Sequence, residues 1–294
     1  MPPKTAILKK QQIALISSGV LLFVLMYFFG RTIPTPKPSE AKKQEAASGS
    51  TTHDHKAFDI QSILTSTKAQ LTPDQQSRVT QMESAVVRGN VKDQQIKVYR
   101  QLASFYKDTV HALLPYAYYT SEAAKLENSE KSLTFAAHFL LDGVRSQQDH
   151  VLKEWLASNA KELFEKALAI NPNNDSSKVG LGSCFLFGEI SETPMQGITM
   201  IREVAEKDPN NMYAQMMLGI GGMVSGQYDR AIERLGKVVE AQPGNPEAVV
   251  MLAEAYERKG DKQNAVKWYT ASKKLITNKG ITEEIDRRIA ELSK

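Results

Sequence analysis

Apolar and polar positions divide the chain into three regimes. From Ile13 to Gly30, "IALISSGVLLFVLMYFFG", apolar residues run on with two serines and no charge. As a helix rising 1.5 Å per residue, this run reaches about 27 Å, close to the ~30 Å hydrocarbon core of a bilayer. Residues 31–56 then lose all apolar periodicity. From residue 57 onward apolar positions return three and four apart, the spacing of amphipathic helices. "FDIQSILTSTKAQ" and "LTPDQQSRVTQMESAVVRGN" predict two helices, the second with Thr72 as N-cap, Pro73 at the first helical position and Gly89-Asn90 at its end. "ITEEIDRRIAELSK" closes the chain as a further helix, with Ile281, Ile285 and Ile289 on one face.

Between these ends the predicted helices come in pairs. "AVVMLAEAYERKGDKQNAVKWYTASKKL", Ala248 to Leu275, reads as helix, turn and helix, with Ala253 and Ala265 at its centre. Small residues there imply a second helix lying close, and the same demand recurs upstream. Leu252-Ala253 steps back 34 residues to Leu218-Gly219, and Ala265 steps to Ala231 and then Gly197. Tyr269, Leu235 and Ile201 form a parallel series, as do Gly260 with Gly226 and Pro243 with Pro209. Leu181-Gly182 stands 37 residues before Leu218-Gly219, so about three residues are inserted in the turn "FGEISETP"; Phe164, Ala167 and Pro172 continue the series.

A period of 34 with small, small, aromatic and proline positions resembles the tetratricopeptide repeat (TPR) family. The resemblance covers residues 96–279. It implies an all-α, right-handed solenoid of about five helical hairpins, beginning near Ile96, Glu130, Asp175, Met212 and Pro246. Helices in 57–95 would precede the array, and residues 280–294 would cap it. A single hairpin cannot bury its apolar surface alone, whereas stacked hairpins can. Gly222 departs from the family pattern, which has an aromatic there, and Thr277 stands where a proline would close the last repeat. "DGVRSQQDHVLKEW" is too long for an inter-helix turn and predicts an extended helix or a protruding loop.

Charge narrows the choice of partner. The 294 residues carry a net +4, but residues 1–56 hold eight Lys/Arg against three acids. The remaining 29 basic and 30 acidic residues balance, so the predicted solenoid has no basic excess with which to bind nucleic acid. The single Cys184 excludes an internal disulfide, and its apolar neighbours Leu181 and Phe185 predict a buried, inert thiol.

The apolar N-terminal run exceeds a signal-peptide core, and "RTIPTPKPSE" after it offers no small-x-small cleavage site. Residues 13–30 are therefore expected to remain as a single-pass anchor contacting the lipid bilayer. Residues 1–12 form a short leader and 31–56 a flexible tether. Lys4, Lys9 and Lys10 before the span nearly balance Arg31, Lys37, Lys42 and Lys43 after it. The layout resembles bacterial inner-membrane anchors whose TPR domain faces the periplasm, which is the expected topology. Within the tether, His53 and His55 are two imidazoles on a segment with no core, and they predict no metal site.

No Walker loop, GxSxG, HExxH or GxGxxG motif is present; "GIGGMVSG" lies within a repeat with no strand before it. No enzyme, cofactor or small-molecule substrate is expected, so binding of a protein or peptide segment remains. In TPR proteins the first helix of each repeat lines a concave groove. By register, this implies a protein-binding groove of Val179, Leu186, Phe187, Tyr213, Met216, Ile220, Met223 and Val224. In the first repeat the same positions fall on Lys97, Arg100, Ser104, Lys107 and Asp108. The family's carboxylate clamp is not reproduced, because Asn is absent from these positions. The alternative is that the N-terminal helices or the long second-repeat insertion fold back and fill this groove. The expected function is a membrane-tethered scaffold, in envelope protein assembly or cytochrome maturation, the alternative being a structural subunit of a membrane complex without a peptide groove.

Overall fold

The computed structural model describes residues 58–88, 91–190 and 194–294. The expected anchor at 13–30, the leader, and His53 and His55 on the tether lie outside these residues. Among the described residues there are thirteen α-helices and no strands, and no helix is long and apolar enough to cross a membrane.

Two helices come first, α1 (Ile60–Ala69) and α2 (Pro73–Arg88). Thr72 and Gln75 form a reciprocal cap: the Gln75 amide donates to Thr72 Oγ1 at 3.4 Å, and the Thr72 amide donates to Gln75 Oε1 at 3.1 Å. Five antiparallel hairpins follow. They are α3 (Lys92–Phe105) with α4 (Leu113–Glu127), α5 (Glu130–Ser146) with α6 (His150–Ile170), and α7 (Asp175–Phe187) with α8 (Met195–Lys207). Next come α9 (Met212–Val224) with α10 (Tyr228–Ala241), and α11 (Pro246–Lys259) with α12 (Lys262–Ser272); α13 (Lys279–Leu292) closes the array.

Local chemistry fixes the boundaries. The first helices of hairpins three, four and five each start after a Pro-containing turn and an Asn. Asn174, Asn211 and Asn245 accept from the amides of Ser177, Ala214 and Ala248 at 2.8, 3.0 and 3.1 Å, which satisfies a donor that the helix cannot. Between α11 and α12, Gly260 adopts φ 87°, a left-handed conformation that closes the helix end with little steric cost for glycine.

Small residues set the distances between helices. A Cβ on Gly182 would lie 2.7 Å from the carbonyl oxygen of Gly197, and a Cβ on Gly197 would lie 2.2 Å from that of Gly182. Helices α7 and α8 therefore touch backbone to backbone. In hairpin four, Ala231 is fully buried, and a Cβ on Gly219 would meet Leu235 at 2.7 Å. The core runs along the stack as successive clusters. One joins α3 and α4 to α1 and α2, and a second joins α4 to α7; a third spans α7 to α11, and Ala253, Ala265, Tyr269 and Ile285 form the last beneath α13. That last junction carries a polar tie, since Tyr269 Oη donates to Glu257 Oε2 at 2.6 Å and Arg288 Nε donates to the same oxygen at 3.1 Å.

The long second-repeat segment resolves as two lengthened helices, α5 and α6, joined at residues 147–149. It is helix rather than protruding loop because the apolar period continues through it: Leu140, Leu141, Val144 and Leu156 are all buried.

Candidate protein-binding surface

The lengthened α5 packs on α7, and single side chains reach from it to α9 and α11. Along one stripe, Thr134 Oγ1 is 3.0 Å from Ser177 Oγ and His138 Nε2 is 2.9 Å from Ser176 Oγ, both on α7. The His138 ring also meets Tyr213 of α9, with centroids 5.4 Å apart, and Arg145 pairs with Glu247 of α11. Residues 134, 138 and 145 share one helix face, and the extra turn of α5 carries the last of them, Arg145, to α11.

Burial shapes the charges on this face. Desolvation holds the His138 imidazole below its usual pKa, against the opposing pull of the Asp142 carboxylate. Desolvation raises the Asp142 carboxyl, although His138 and Arg145 pull it back. The Tyr213 phenol is raised by burial first and by Asp142 second.

The eight residues expected to line an open groove divide under this arrangement. Val179, Met216, Ile220 and Met223 are buried at 0 to 7% exposure in the cluster spanning α7 to α11. They face neighbouring helices and cannot meet a partner unless those helices part. Leu186, Phe187 and Tyr213 are half-buried and pack against the same cluster, and Phe187 also packs against the preceding one. Val224 stands apart at 70% exposure. The physical reason is the close packing of α7 to α11, whose apolar faces bury these side chains against one another. Cys184 is wholly buried, and its thiol is pushed up to about 12 by desolvation, which suits a packing role.

Hairpins one and two leave a cleft open. Its volume is about 290 Å³, and it lies between α3, α4 and the start of α5. Arg100, Ser104, Lys107 and Asp108 line one wall, four of the five positions that the register gives for the first repeat. Phe135 of α5 forms the opposite lip and is 57% exposed. At the base, Thr120 Oγ1 is buried and finds no hydrogen-bond partner in the protein. Arg100 is paired with Glu127, and Lys107 Nζ lies 5.4 Å from the Tyr116 ring centroid.

A π-helical turn, Tyr106–Val110, ends α3 beside this cleft and is closed by His111 in the left-handed region at φ 57°. Such a turn widens the helix and re-aims the residues on it, here Lys107 and Asp108. It is held by Tyr106, which is fully buried and stacked on Tyr119 with centroids 5.6 Å apart. Burial and the nearby Glu83 carboxylate push the Tyr106 phenol up to about 12. The periodicity does not show this turn. Phe135 precedes the buried Ala136 and Ala137, but its position lies outside the groove register.

Among the described residues no group of three His, Cys, Asp or Glu side chains could hold a metal ion. A tetratricopeptide repeat family model matches residues 223–276. Similar solved structures include PilW, described as a widely conserved type IV pilus biogenesis factor, at 19% identity over 67% of this chain and 85% of that one, with TM-score 0.49. A thermophilic TPR protein from Thermus thermophilus matches at 16% identity over 69% of this chain and 98% of that one, with TM-score 0.49. MamA from Desulfovibrio magneticus RS-1 matches at 20% identity over 61% and 94%, with TM-score 0.42. Residues 223–276 match the tetratricopeptide repeat family, and the described residues form an all-helical, TPR-like array of hairpins.

Proposed function

We propose that this chain is a non-catalytic, membrane-tethered scaffold that holds a protein or peptide segment against its first two hairpins. The observation that carries the reading is the cleft between α3, α4 and α5, which an exposed aromatic, Phe135, lines together with the polar side chains of Ser104, Lys107 and Asp108. An exposed aromatic lip supplies contact area with few rotors to freeze, and the polar wall offers hydrogen bonds beside it. The apolar run Ile13–Gly30 supports the tether, and residues 31–56 have the composition of a flexible spacer. The periplasmic side of a bacterial inner membrane is the topology this reading adopts, with assembly of envelope proteins or cytochrome maturation as the settings that suit it.

The test is recovery of partners from detergent-solubilised membranes by the intact chain and by Phe135→Ala. The variant should keep its melting temperature, because the side chain is largely exposed, and lose the proteins that the parent chain retains after washing. Unchanged recovery would remove this cleft as the binding surface. Carbonate extraction checks the tether: the full chain should stay with the membrane pellet, and release into the supernatant would contradict it. A second reading, a structural subunit without a peptide groove, is favoured by the packed inner face of hairpins three to five. It predicts one partner recovered in fixed ratio regardless of residue 135.

A further inference from the structure

Gly222 breaks the family pattern where an aromatic would stand, and the structure shows what its absence leaves. A cleft of about 370 Å³ opens between the second helices of hairpins three and four, with α9 at its back. A Cβ on Gly222 would already lie 3.3 Å from Ala231, and one on Gly221 would lie 2.9 Å from Leu186 Cδ2. Both glycines therefore sit where backbone itself forms the wall. The floor is apolar, made by Leu186, Ile198 and Leu218, and Met195 stands at its edge with 63% exposure.

The rim is cationic. Arg202 comes from α8, and Arg230 and Arg234 come from α10, one turn apart. Arg230 Nη1 donates to Gln227 Oε1 at 2.7 Å and Arg234 Nη1 donates to Gln215 Oε1 at 2.8 Å. Both acceptors are neutral amides. Arg202 and Arg230 are exposed, and among the described residues no carboxylate pairs with any of the three. Arg100, Arg145, Arg287 and Arg288 elsewhere all have such partners. Three guanidinium groups without a direct ion pair thus gather around one apolar hollow, with the Glu233 carboxylate acting on Arg230 and Arg234 only at longer range.

We infer that this cleft is a second docking site, separate from the Phe135 surface, for an acidic segment of a partner protein that carries one bulky apolar side chain. The apolar residue would enter the hollow and its flanking carboxylates would pair with the three arginines. Guanidinium forks match carboxylates bidentately, and the apolar floor gives the site a use for a side chain that a bare phosphate or a nucleic-acid backbone lacks. The volume lies at the low end for ligand pockets, which fits one anchoring side chain.

The experiment is fluorescence anisotropy of a labelled peptide, one Trp between runs of Glu, titrated with the full chain in detergent micelles. Binding should saturate and weaken as salt is added, because rim charges are screened. Arg202→Glu with Arg230→Glu should weaken it on the order of tenfold, as should replacing the probe's Trp with Ala. A probe with Lys in place of Glu should not bind the parent chain. Thermal unfolding verifies that the charge-reversed chain is folded, and the milder Arg202→Gln with Arg230→Gln should give a partial loss. Phe135→Ala should bind the probe as the parent does, so failure of the first site and failure of this one are distinguishable. Equal affinity for the Glu and Lys probes, indifference to the arginine reversal, or equally effective competition by an oligonucleotide would each overturn the proposal.

Discussion

At the scale of single residues, the array is governed by where side chains are missing. Gly182 and Gly197 show it best: each would place a Cβ within 2.7 Å of the other's carbonyl oxygen. Backbone cannot swing aside as a long side chain can, so Gly182→Ala or Gly197→Ala must push α7 and α8 apart. The expected loss is about 1–3 kcal/mol, read from denaturant unfolding. Gly236, within α10, has nothing within 4 Å of its would-be Cβ. Gly236→Ala should therefore stabilise by about 0.5–1 kcal/mol through helix propensity alone. Two substitutions of the same chemistry would then move stability in opposite directions. If both destabilised alike, close approach would not be what selects glycine here. These packing positions were legible in the sequence because a steric demand repeated at every hairpin leaves a period, and Gly197, Ala231 and Ala265 carry it.

At the scale of elements, α5 departs most from the repeat. Its extension was visible as excess length in "DGVRSQQDHVLKEW", but its destination was not. Contacts between His138 and Tyr213, or Arg145 and Glu247, join residues 75 and 102 positions apart, and no local pattern encodes such pairs. Val179, Met216, Ile220 and Met223 read as groove lining by register, and helices α7 to α11 bury them against one another. The His138 contact also has a pH signature. Desolvation lowers the folded-state pKa below the unfolded value of about 6.5, so the neutral ring is the folded form. Its contribution is fully present above the unfolded pKa and is lost as pH falls through the lower folded value. Melting temperatures measured from neutral to acid pH should decline more steeply for the parent than for His138→Gln, which stays neutral. Superimposable profiles would show that the ring titrates freely and is not held in the contact.

At the scale of the whole molecule, hairpin content and register were readable while the state of the inner face was not. Periodicity reports which residues a hairpin buries against its immediate neighbours, because those contacts repeat. The open cleft at Phe135 and the π turn beside it occur once, so they leave no period to find. Hairpins three and four bury their first-helix face as core, and the partner site proposed at Phe135 uses the face left open on hairpins one and two. Thermal unfolding of Phe187→Ala with Tyr213→Ala, combined with partner recovery, tests this division most directly. Phe187 packs against two clusters and Tyr213 closes on His138, so the double variant should lose about 3–5 kcal/mol of stability. At a temperature where it is still folded, it should recover the same partners as the parent. An unchanged melting temperature with partner recovery abolished would place the binding site in an open groove at hairpins three and four, and would contradict the account.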